Sequence, residues 1–168
     1  AKSVVHLIWE KAKGFIQKAF TIIFAASIVI WSLQTFDARF NVVSMPESSL
    51  LAALGSVFAP LFAPLGFADW RVSTALITGF TAKESVVSTL TLLLGGEVSS
   101  IGTLFTPFTA VVFLVFVLLY TPCVAAIATV KREMGSTRAA ITTALTQCVI
   151  AWLIAFSVRR IGLAFGLA

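Results

Sequence analysis

Charge is what this sequence has least of: only 11% of its 168 residues are Asp, Glu, Lys or Arg, against about a quarter in ordinary soluble domains. With 59% hydrophobic residues and a mean hydropathy of +1.03, that shortage excludes a soluble globular fold and makes the chain an integral membrane protein. Histidine is nearly absent. The single His6 reads as an interfacial side chain rather than a metal ligand. Cysteine is scarce too, and Cys123 and Cys148 both fall in apolar segments, which argues for free thiols and against a disulfide framework. No phosphate-cradling loop is present either, because the stretch from Gly79 to Ser85 lacks a glycine directly before Lys83. A nucleotide site is therefore not expected of this chain. The net charge of +5 does not point to nucleic acid, since Lys and Arg gather at the ends of apolar segments, where they act as topology signals. At about 20 residues per helical crossing, the length allows four or five crossings and no sizeable soluble domain.

The expected fold is all-α: a polytopic helical membrane protein with about five transmembrane segments, some broken or kinked. Residues 1–18 carry Lys2, Lys11, Lys13 and Lys18 against Glu10, and read as a basic amphipathic lead-in at the membrane surface. The transmembrane domain then occupies residues 19–168. The chain begins with Ala1 rather than Met and shows no small-residue cleavage site after its basic start, so it reads as a piece of a longer protein and not as a signal peptide. Ala19 to Phe36 is a charge-free span with Trp31 and Phe36 as interfacial anchors. After a polar loop, Leu50 to Phe67 contains Pro60 and Pro64, so a straight helix cannot run through it; a kinked span and a re-entrant pair both fit.

Within Trp70 to Leu94, Gly79, Lys83 and Glu84 interrupt an otherwise apolar helix. A central charge costs roughly 2.5 to 3.5 kcal/mol on insertion scales, so these side chains are expected to face a bundle interior, a partner or a polar path. Thr78-Gly79-Phe80-Thr81 is suited to local unwinding, which would free carbonyls for an ion. Glu84 is the better cation ligand of the two. Lys83 is expected to pair with a carboxylate or to set the charge of the empty site, and the alternative is an ion pair that only fixes packing. Ile101 to Val130 is likewise charge-free and is divided by Tyr120-Thr121-Pro122-Cys123. Pro122 has no N–H, so the carbonyl four residues earlier, at Leu118, should be left free. Cys123 then stands beside it, as a packing thiol or as a ligand for a first-row metal.

These segments add up to a resemblance. Trp9 to Ile16 with Thr21-Ile22-Ile23, Ala63 to Phe67 with Trp70, Thr78-Gly79-Phe80 with Ala82-Lys83-Glu84, and Tyr120 to Cys123 resemble, in that order, the C-terminal membrane region of the B-type ferrous iron transporter (FeoB) family. The resemblance covers essentially the whole chain. It implies a multi-pass protein of the bacterial cytoplasmic (inner) membrane, contacting membrane lipid, with Fe(II) as transported substrate. It further implies that Tyr120, Thr121, Pro122 and Cys123 match the second of two gate motifs, that Cys123 and Glu84 are candidate metal ligands, and that Gly79, Lys83, Tyr120, Thr121 and Pro122 line the gate or ion path. GTP would enter only through an N-terminal domain of the family that this sequence does not contain, and that domain and the first gate would be its partners. A homo-oligomer stays open. Two alternatives are a transporter of another solute, such as a nucleoside, and a non-conducting scaffold for a GTPase subunit.

Basic residues at Lys131, Arg132 and Arg138 place that loop in the cytoplasm, which fits five crossings, although Arg159-Arg160 would then lie outside against the positive-inside rule. Glu133 reads as a solvated loop charge or an exit ligand. Thr143, Thr146 and Gln147 form a polar stripe on the last helix, expected to make interhelical hydrogen bonds or to line the path.

Overall fold

The computed structural model describes residues 2–43, 45–120 and 123–166. It is all helical, and the one β contact among the described residues is an isolated bridge between Phe36 and Val42. Helix α1, Lys2–Thr35, runs unbroken through the expected boundary at residue 18. At 1.5 Å per residue its 34 residues extend about 50 Å. Much of its surface is unburied, including Phe20, Phe24, Ile28 and Trp31. A loop follows, closed by Asp37, whose Oδ1 accepts the N–H groups of Arg39 at 2.7 Å and Asn41 at 3.0 Å.

Ser49 starts α2, Leu50–Phe58, by accepting the Ala52 N–H on its hydroxyl. The two prolines then act as expected: the chain tightens into a 3₁₀ turn over Ala59–Leu65, which stops at Gly66 with φ +95°. Asp69 caps α3, Trp70–Thr78, and the chain bends by 105° between Leu50–Leu65 and Trp70–Thr78. After a break comes α4, Ser85–Leu93, then a 3₁₀ turn over Val98–Thr103. Pro107, in the first turn where its missing N–H costs nothing, opens α5, Pro107–Leu119. Helix α6, Val124–Met134, ends on Gly135 at φ +64°, and α7, Thr137–Ala164, closes the chain.

Aromatic rings form the centre of the core. Phe62, Phe67, Phe105, Phe113 and Phe116 interlock at centroid distances of 4.8 to 6.4 Å, with Tyr120 stacked on Phe116 at 5.5 Å. Helix α7 approaches this cluster through small residues, Ala151 and Ala155, and through Gly162, where any side chain would enter the Phe108 ring. The polar stripe takes no such part: Thr143 and Thr146 are exposed, and the Thr143 hydroxyl bonds to Ala139 O of its own helix. Close approach of small residues, not a hydroxyl ladder, seats this helix.

Long unbroken helices alone do not make up the five crossings expected. Among the described residues, two helical stretches are long and apolar enough, Pro107–Met134 and Thr137–Ala164, or three if the bent pair counts as one span. Phe20–Thr35 is a shorter apolar segment. The reason is geometric: the breaks leave α2, α3 and α4 at nine residues each, about 14 Å, where a bilayer core needs about 30 Å.

Candidate functional site

Two interruptions of helix, between Thr78 and Ser85 and after Leu119, lie against each other. Four hydrogen bonds among the described residues join them. Phe80 O accepts the Val124 N–H at 2.9 Å, the Tyr120 hydroxyl donates to Leu76 O at 3.3 Å, and Lys83 Nζ donates to Leu118 O at 3.2 Å and Tyr120 O at 2.9 Å. The ammonium also stands 5.0 Å from the centroid of the Tyr120 ring, in cation–π range.

Each contact has a local cause. Leu118 O would meet the N–H of residue 122 in a continuous helix, but that residue is proline and has none. Tyr120 O would meet the Val124 N–H, which has instead gone to Phe80 O. An unpartnered carbonyl in apolar surroundings costs about 1–3 kcal/mol, and Lys83 supplies a donor to both. Gly79 makes the approach feasible: a Cβ there would collide with Val86 and with the Tyr120 hydroxyl. The Tyr120 side chain is itself buried, at 5% exposure.

Gly79, Lys83 and Tyr120 are thus brought together. Cys123 caps the start of α6, where its carbonyl accepts the N–H groups of Ala126 at 2.8 Å and Ile127 at 3.1 Å; its thiol is free and half-buried. Thr121 and Pro122 lie outside the described residues. Glu84 is exposed at the start of α4, and its side chain has no hydrogen bond or ion pair among the described residues. The pairing of Lys83 with a carboxylate is therefore replaced by pairing with backbone carbonyls. Among the described residues no three His, Cys, Asp or Glu side chains converge as a preformed metal cage. His6 and Glu133 stand away from this centre, each exposed and each near one charged neighbour, Glu10 at 3.6 Å and Arg132 at 3.3 Å.

Three further residues, all on α7, were not among the expected site residues. Cys148 is half-buried on the side of α7 that faces the two interruptions. It also faces an apolar cavity of about 980 Å³ whose wall includes Phe80, Thr81, Tyr120 and Val124. Trp152 Nε1 donates to Leu61 O at 3.0 Å, and Arg159 Nη1 donates to Pro64 O at 2.6 Å and Ala63 O at 3.3 Å. Arg159 thereby serves the proline-rich turn as Lys83 serves the α5 end. The signal for it was its position, against the positive-inside rule; a cation engaged with backbone carbonyls is not a free topology signal.

Residues 16–137 match the family described as "Gate: Nucleoside recognition", a range that contains both helix interruptions but not Cys148, Trp152 or Arg159. The chain is also similar to proteins named Fe(2+) transporter FeoB. It is 37% identical to that of Staphylococcus aureus strain MSSA476 over 165 residues, covering 96% of this chain and 25% of the relative. To that of Methanocaldococcus jannaschii it is 35% identical over 170 residues, 95% of this chain and 25% of the relative. It is 28% identical over 217 residues to a fusion protein of Porphyromonas gingivalis named Fe(2+) transport protein A/Fe(2+) transporter FeoB, covering 98% of this chain and 26% of the relative. The chain therefore spans about a quarter of the length of these curated relatives. No solved structure matches it.

Proposed function

We infer that this chain, which belongs to the Gate family, is part of the membrane permease of a ferrous iron transporter and helps to move Fe(II) across the bacterial cytoplasmic membrane into the cell. The similarity to proteins named for Fe(2+) over 95% or more of this chain supports the substrate. The observation that carries the permease reading is the junction of the two interruptions, where Lys83 spans the carbonyls of Leu118 and Tyr120 and the Val124 N–H, next in sequence to Cys123, crosses to Phe80 O. Backbone oxygens at broken helices are the usual means by which membrane transporters replace an ion's water. A thiolate added to those oxygens favours a first-row divalent metal over Mg(II) or Na⁺, for which sulfur is a poor ligand.

In this reading Cys123 and Glu84 touch the ion in transit, Gly79 and Tyr120 shape the constriction together with Thr121 and Pro122, and Lys83 governs the empty state. We assign no enzymatic step to this chain; GTP hydrolysis would belong to a separate domain of the longer protein. That domain and the remaining gate region are the proposed partners.

The test is uptake of Fe(II), kept reduced, into proteoliposomes holding the complete transporter, with Mg(II) and Na⁺ as competitors. Fe(II) accumulation that excess Mg(II) and Na⁺ do not suppress is expected. Absence of accumulation by folded protein with GTP supplied would overturn the reading.

A further inference from the structure

We propose that Leu118 O and Tyr120 O form a binding site for the transported cation, that the Lys83 ammonium occupies this site at rest, and that the ion enters by displacing it. The proposal rests on the permease reading above and adds to it the location of one ion site and the means of closing it.

The surroundings of the ammonium are those of a cation site. Two backbone carbonyls lie at 2.9 and 3.2 Å and the negative face of the Tyr120 ring at 5.0 Å. Neither carbonyl is available by accident. Leu118 O is freed by a proline in the sequence, and Tyr120 O is freed because the Val124 N–H crosses to Phe80 O on the other interruption. The crossing bond thus helps to create the site as well as to join the segments. Oxygens arranged in this way bind bare cations in place of water, and a lysine ammonium, with three donors and no acceptor, satisfies them equally well.

Occupancy then works as closure. While Nζ is in place, a second cation meets a filled site and a like charge. Lys83 is half-buried and carries its charge on a flexible four-carbon stem, so the ammonium can leave without unfolding either helix. An arginine could not do the same so readily, because its planar fork would hold both oxygens at once. A purely structural cap, by contrast, would never have to leave.

The experiment measures Fe(II) uptake by the complete transporter in proteoliposomes, comparing parent with Lys83→Met, which keeps the stem and removes the ammonium. Displacement predicts that the apparent KM for Fe(II) falls at least threefold in Lys83→Met. It also predicts that millimolar methylammonium, a free substitute for the missing group, raises that KM back competitively while leaving the parent unchanged. A folded Lys83→Met protein whose KM is unchanged or higher, or in which methylammonium acts as it does on the parent, would overturn the proposal. Should Lys83→Met fail to fold, Lys83→Arg decides: a KM raised severalfold supports displacement, and a parental KM overturns it. If the parent takes up no Fe(II), the permease reading fails by itself, and the closure is then read with Tl⁺. A Tl⁺ leak confined to Lys83→Met and blocked by methylammonium supports it, and no leak refutes it.

Discussion

The Tyr120 hydroxyl occupies the space that a side chain at residue 79 would need, and from there it donates to Leu76 O at 3.3 Å. Gly79→Ala would drive a methyl group into both that hydroxyl and Val86, at a position where neither neighbour is a flexible chain end. We expect a loss of about 1–3 kcal/mol, the range for overpacking a filled interior. Thermal unfolding in detergent should show a clear fall in Tm. Gly14→Ala on α1 is the control, since a Cβ there meets nothing within 4 Å, and it should leave Tm unchanged or slightly raised.

Arg159 and Arg160 stand side by side but should behave differently. Arg159→Ala leaves the carbonyls of Ala63 and Pro64 without their donor and should cost about 1–3 kcal/mol. Arg160→Ala removes only a guanidinium 6.0 Å from the Phe156 ring on an exposed side chain, and should change stability little. Equal Tm shifts in the two variants would contradict the role given to Arg159.

How much of this was legible in the sequence depends on the range of each interaction. Proline and glycine act on their own backbone, so the interruptions near Gly79 and Pro122, and the freeing of Leu118 O, could be read directly. Lys83 announced itself as a charge in an apolar segment. Its partner did not, because the acceptors are carbonyls 35 and 37 residues onward, and no side-chain pattern encodes which carbonyl a distant fold brings near. The carbonyl partners of Trp152 and Arg159 were missed for the same reason. Hydropathy registers the apolar length of 50–94 but not its division into nine-residue helices, so the breaks inside that stretch were legible and the lengths of the pieces were not.

The loop after α1 should carry a pH dependence of its own. The backbone N–H groups of Asn41, first, and Arg39 hold the Asp37 carboxyl below its ordinary value of 3.8. A carboxyl with a lowered folded pKa contributes stability that is fully present above the unfolded value and is lost as pH falls through the folded one. Amide protection of residues 38–43 should therefore be constant from pH 7 down to about 4 and decline below 3.8. Asp37→Asn should abolish that decline, and a decline that persists in the variant would assign it to another group.

Whether the joined interruptions form the path of the ion is decided by Fe(II) uptake in the complete transporter carrying Cys123→Ser. Cys148→Ser is run beside it as a second ion-path variant, not as an inert control, because Cys148 lines the same cavity as Phe80, Thr81 and Tyr120. With expression and folding matched, Cys123→Ser should lose at least ten-fold in uptake, about 1.4 kcal/mol of transition-state stabilisation, and Cys148→Ser a smaller but measurable amount. Parental uptake in both folded variants would show that the thiols only pack, and would contradict the account.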